Sequence, residues 1–123
     1  MTFAVAGDLA GVRRFVRDRA LAAGLATPRV EMLTLAVSEL VSNTVEHSGG
    51  GGLVRVWAEA GAVVCEVLDQ RPPGSRPTAF GGTAMPAADA IRGRGLAIVE
   101  RVCDAVSLEV EGTSTLVRLR MAC

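Results

Sequence analysis

The stretch Leu35-Ala-Val-Ser-Glu39-Leu-Val-Ser-Asn43-Thr-Val-Glu-His47 interleaves an apolar series with a polar one at helical spacing. Residues four apart on an α-helix advance about 40° around its axis, so Glu39, Asn43 and His47 form one stripe, with Ser38 and Ser42 beside it. A polar row is commonly just the solvated face of an amphipathic helix. Asn43 argues for a second reading: asparagine is a mediocre helix former, and here it sits mid-helix where glutamate or arginine would serve better. A carboxylate one turn from a carboxamide suits a base beside a hard-cation ligand.

Working outward, the helix carrying this stripe starts at Thr27-Pro28, an N-cap followed by proline at the first helical position, and runs to about His47. The four glycines Gly49 to Gly52 are read as its end. An earlier helix is expected from Asp8 to about Ala23, with Leu9, Val12, Val16 and Ala20 on one face and Gly24 as its stop. Residues 2 to 7 read as a short edge strand. Downstream, Val54 to Glu59 and Ala62 to Asp69 alternate with period two around a tight turn at Ala60-Gly61. The second of these places Val63, Cys65, Val67 and Asp69 on one face, where a carboxylate among apolar residues asks for a partner. Two further alternating strands, Val106-Leu108-Val110 and Val117-Leu119-Met121, turn at Gly112, after a third helix expected from Gly95 to about Cys103.

Composition narrows the function classes. A chain of 123 residues, half of them apolar and 21% charged, reads as one domain, 1–123, with its own core. Thirteen basic residues balance thirteen acidic ones, which removes the electrostatic argument for nucleic-acid binding. No apolar run is long enough to cross a bilayer and no leader is evident, so a cytoplasmic location and no membrane contact are expected. Every basic residue is arginine. The absence of lysine excludes a Walker A phosphate loop, which needs one after its glycines. Cys65, Cys103 and Cys123 are odd in number and widely spaced, and with a single histidine they are read as buried thiols rather than a disulfide framework or zinc site.

Two further signals bear on chemistry. Residues 70 to 92 hold four of the five prolines and no clear periodicity before Ala87, as a binding loop or lid would. Gly93-Arg94-Gly95-Leu96 then opens a helix; it reads either as a simple loop-to-helix junction or as a phosphate cradle of glycine backbone and helix N–H groups. Arg92 and Arg94 could neutralise phosphate charge or lie exposed. Asp69 is either a strand-end turn residue or an acceptor for the exocyclic amine of a base, which would favour adenine.

In this order, Glu39-Leu-Val-Ser-Asn43, Asp69, Gly93-Arg-Gly95-Leu and Gly112-Thr-Ser-Thr115 resemble the N box, G1 box, G2 box and final threonine region of the GHKL (Bergerat-fold) ATPase superfamily. The run from Ser38 to His47 and Gly93-Arg-Gly-Leu-Ala-Ile-Val99 look like the small anti-sigma-factor serine kinases within it. The resemblance spans about Leu9 to Met121. It implies an α/β (α+β) two-layer sandwich, a mixed and mostly antiparallel sheet with helices on one face and ATP between the layers. Carried over by position, Asn43 would ligate Mg²⁺, Glu39 would orient or deprotonate the attacking nucleophile, and Asp69 would bind the adenine amino group. Gly93 and Gly95 would line the triphosphate, and residues 70–92 would be the ATP lid. His47, Gly74, Arg92, Arg94 and Leu96 complete the nucleotide-contacting set. Thr115 would stand near the adenine-binding aspartate, with Thr113 the alternative.

The sequence departs from that pattern at Asp69-Gln-Arg-Pro-Pro-Gly74, where the family usually has aspartate-x-glycine-x-glycine, and it lacks a histidine-kinase dimerisation helix. His47, inside the N box, is no phosphoacceptor. The resemblance implies a regulatory serine/threonine kinase that binds a sigma factor, uses Mg·ATP to phosphorylate an anti-anti-sigma partner, and forms a homodimer. Two other readings stand beside it: a nucleotide-dependent binding module without transfer activity, and the ATPase domain of a larger sensor kinase.

Overall fold

Among the described residues, five strands form one antiparallel sheet, and two helices cover one of its faces. The computed structural model describes residues 1–48, 51–70, 103–111 and 114–123. Along the chain run β1 (Thr2–Phe3), α1 (Leu9–Ala22), α2 (Thr27–Ser48), β2 (Gly51–Glu59), β3 (Ala62–Gln70), β4 (Ala105–Glu111) and β5 (Ser114–Ala122). The sheet order is β1-β2-β3-β5-β4, every neighbouring pair antiparallel. The lid expected from about 70 to 92, the third helix and the turn at Gly112 fall outside the described residues, except for Gln70 and Cys103.

Period two decides what the sheet buries. Val54 on β2, Val63, Cys65 and Val67 on β3, and Val117, Leu119 and Met121 on β5 face the helices and join the core. From α1 come Val12, Val16 and Ala20. From α2 come Val30, Leu33, Ala36, Val37, Leu40 and Val41, a spacing of three and four. Burying each leucine contributes about 2–3 kcal/mol before entropy is counted. Met32 and Leu35, apolar as well, are exposed on α2, because a stripe of this width covers only one side of the helix.

Local chemistry sets the element ends. α1 closes in a Schellman motif: Gly24 (φ +93°) donates to Leu21, and Leu25 donates to Ala20 while its side chain enters the core. Gly61, with φ +71°, makes the β2–β3 turn. The edge strand expected over residues 2 to 7 is shorter than its pattern suggested. Asp8 accepts hydrogen bonds from the N–H groups of Ala4 (2.8 Å) and Val5 (3.1 Å), and this turns the chain into a single 3₁₀ turn, Ala6–Asp8, ahead of α1. The glycine run also does more than end a helix: Gly51 and Gly52 are the first residues of β2.

Polar links tie the layers at their rims. Arg17 pairs with Glu31 in a bidentate contact, and Arg13 donates to Ser38 Oγ at 3.0 Å, both joining α1 to α2. On the uncovered sheet face, buried Glu66 lies between Arg55 and Arg118 on flanking strands and holds the Arg118 guanidinium above its usual range. Burial raises the Cys65 thiol far above its ordinary value and pushes that of Cys103 up to about 11, so both stay protonated. Cys123 differs from the buried reading: it is exposed, and its N–H donates to Gly61 O.

A latch at the far end yields a pH prediction. Asp104 accepts the Ala122 N–H and pairs with Arg29 of α2 at 2.7 Å. The Ala122 bond first, then Arg29, holds its carboxyl below the usual range. A group depressed in the folded state stabilises fully above its unfolded value, about pH 4, and loses that contribution as pH falls through the folded value. Asp104→Asn is therefore expected to lower Tm at neutral pH. Thermal melts from pH 7 to 2 should show the gap to wild type closing only below about pH 4; a gap independent of pH would exclude the latch.

Candidate functional site

One end of the sandwich departs from apolar packing. On the helix-facing side of the sheet, successive rungs read Val56–Cys65–Leu119–Val106, then Val54–Val67–Val117–Leu108, then Gly52–Asp69–Thr115–Val110. The alternation that sends Val67 and Val117 into the core sends Asp69 and Thr115 the same way. Asp69 is 1% exposed, with both carboxylate oxygens buried, and Thr115 is equally buried. Directly opposed residues in an antiparallel pair have Cβ atoms about 4.5–5.5 Å apart, so carboxylate and hydroxyl are neighbours. The Thr115 hydroxyl has no hydrogen-bond partner among the described residues. A buried hydroxyl in that state is costly unless something else supplies the bond.

The same end receives the polar stripe of α2. Only two residues separate Ser48, the last of α2, from Gly51, the first of β2. Asn43 lies five residues before the helix end, about 7.5 Å along the axis, and is 7% exposed. Neighbouring side chains are used locally: Thr44 Oγ1 donates to Leu40 O at 3.1 Å, and Ser42 Oγ to Glu46 at 3.3 Å. Glu39 is half-buried one turn before Asn43. So the stripe is not a uniformly solvated face: Ser38 and Asn43 are buried, Ser42 and Glu39 half-buried.

Both the sequence and the fold of the chain have counterparts among known proteins. The sequence profile of the histidine kinase-like ATPase domain aligns with residues 3–121. The chain belongs to that family. In structure, this histidine kinase-like ATPase domain resembles the Acinetobacter baumannii histidine kinase AdeS, with a TM-score of 0.58 at 11% identity, over 99% of this chain and 67% of the other. That likeness establishes the shared fold. No curated protein matches the chain in sequence.

The residues present suit the nucleotide that such domains typically bind with Mg²⁺. A buried carboxylate beside an unsatisfied hydroxyl offers an acceptor and a donor for the edge of a base. Among the described residues no cluster of three His, Cys, Asp or Glu exists to hold a metal by itself. Asn43 with phosphate oxygens is the donor set Mg²⁺ accepts. Of the expected site residues, Glu39, Asn43, Asp69 and Thr115 lie at or near this end. His47 falls within α2, while Gly74, Arg92, Gly93, Arg94, Gly95, Leu96 and Thr113 lie outside the described residues. Sequence reasoning missed Gly52, the β2 partner of Asp69, and Phe3, the β1 partner of Gly52. The signal was there: a run of four glycines is longer than a helix stop requires.

Proposed function

We propose that the chain is the nucleotide-binding domain of a regulatory signalling protein, holding Mg·ATP between α2 and the Asp69 end of the sheet. The buried Asp69–Thr115 pair carries this reading. A carboxylate accepts but cannot donate, so it selects the exocyclic amine of adenine over the carbonyl of guanine. Thr115 Oγ1 would meet the adjoining ring edge or an intervening water. Asn43 would give its amide oxygen to the metal, which neutralises phosphate charge when bound. Arg92, Arg94 and the Gly93–Gly95 backbone would meet the phosphates, in place of the lysine this chain lacks. Whether as a sensor-kinase ATPase domain or a nucleotide-gated binding module, such a domain signals through what ATP does to its contacts.

One observation favours a second reading, transfer of the γ-phosphoryl group to a protein serine. Glu39 is half-buried and one turn from Asn43, so it would serve as a base beside a metal ligand; phosphoryl transfer needs little more than positioning and charge stabilisation. In that case the acceptor would be an anti-anti-sigma protein and the bound target a sigma factor, within the cytoplasm and with the kinase as a homodimer.

Calorimetric titration tests the nucleotide site that both readings require. Wild type should bind ATP saturably with Mg²⁺, and Asn43→Ala should lose most of the Mg²⁺-dependent gain while binding free of metal changes little. Saturable ATP binding that is indifferent to Mg²⁺ in both proteins would remove Asn43 from the metal site. No ATP binding by folded wild type would overturn the proposal.

A further inference from the structure

The Asp69 rung continues past Gly52 to the edge strand. Register pairs Phe3 with Gly52, Gly52 with Asp69, Asp69 with Thr115, and Thr115 with Val110, one residue from each of the five strands. Position 52 has no side chain, and the aromatic ring of Phe3 takes the space one would fill. A Cβ added at Gly52 would stand 2.6 Å from Phe3 Cζ and 3.0 Å from Cε1. Phe3 is 3% exposed and belongs to the core cluster, so packing fixes its ring. Its strand is held as well: Val54 N–H donates to Met1 O at 2.8 Å, and the Met1 ammonium donates to Val54 O at 2.7 Å. The buried carboxylate therefore has a hydroxyl on its β5 side and, across a bare glycine, an aromatic wall on its β1 side.

We propose that Phe3 is a positioning residue for base recognition, closing the β1 side of the Asp69 pocket against water. A charge-assisted hydrogen bond is strong where water is excluded and weak where water competes for the acceptor. With the ring in place, Asp69 meets the amine of a base in an apolar surround. With the ring cut back, water reaches the carboxylate beside Gly52 and the amine gains less by binding. The edge strand, two residues long, thereby belongs to the nucleotide site as well as to the core. The inference rests on the reading of Asp69 as the adenine ligand.

The test compares ATP with purine riboside triphosphate, which lacks the 6-amino group, in Mg²⁺ titrations of wild type, Phe3→Leu and Phe3→Ala. Leucine keeps a buried apolar side chain, so Phe3→Leu preserves the test if the alanine variant does not fold. Wild type should prefer ATP by on the order of tenfold or more, the range of one hydrogen bond to a charged group. In the Phe3 variants that preference should fall several-fold while affinity for the amine-less nucleotide changes little. Equal weakening of both nucleotides, with the preference unchanged, would mean Phe3 only packs the core and would overturn the proposal. A wild type that binds both equally would overturn it too while leaving ATP binding intact, and absence of ATP binding would overturn the proposed function along with it.

Discussion

Asp69→Asn is expected to weaken ATP binding by on the order of 10–100-fold while the protein stays folded. The carboxylate is buried at the end of an apolar strand face, where an ionised group is costly to keep. Asparagine has nearly the same shape, so the rung Gly52–Asp69–Thr115 need not repack. What changes is the chemistry presented to the base. A charged acceptor becomes a neutral amide, and one of its two faces now donates toward an amine that also donates. Calorimetric titration should show the loss, with near-ultraviolet circular dichroism unchanged from wild type. If Asp69→Asn bound ATP as wild type does, Asp69 would not be the adenine ligand, and the burial of its carboxylate would need another cause. Asp69→Ala should bind no better, since it leaves Thr115 facing a void as well.

The sequence carried most of the fold because its elements are coded locally. Val63, Cys65 and Val67 put Asp69 on the buried face by alternation alone, and the structure places it there. Gly24 stopped α1 for a backbone reason, whereas α2 opens one residue earlier than Thr27-Pro28 suggested: Ala26 O accepts the Val30 N–H, so Ala26 is the N-cap and Thr27 and Pro28 are the first two helical positions. What the pattern could not reach depends on contacts between distant segments. That Thr115 stands opposite Asp69 is a matter of register between β3 and β5, which no window of either strand contains. The exposure of Met32 and Leu35 depends on which side of α2 meets the sheet, and a helix rich in apolar residues offers more than one candidate face. The shortness of β1 follows from Asp8 bonding back to Ala4 and Val5, a capping contact hidden inside what looked like a strand followed by a helix start.

Gly52 is where local preference and long-range geometry oppose each other most sharply. Glycine weakens a strand interior and valine favours one, so propensity alone predicts that Gly52→Val stabilises β2 by up to about 1 kcal/mol. Geometry predicts the reverse. A Cβ at position 52 would collide with the backbone carbonyl of Leu68, one residue from Asp69, and with the ring of Phe3. A flexible side chain can yield; a carbonyl inside the β2–β3 ladder yields only if the strands move apart. The neighbouring Gly51 is confined in the same manner by Phe3 O, so displacement toward β1 is blocked as well. Overpacking of this kind costs about 1–3 kcal/mol when side chains absorb it, and more when backbone must. Gly52→Val is expected to lose at least about 3 kcal/mol in urea-induced unfolding. Any fraction that folds should bind ATP poorly, because the strand carrying Asp69 has been moved. A stabilised Gly52→Val would show that β2 and β3 part freely here. It would also remove the close approach that lets Phe3 reach over the glycine to the side of the carboxylate.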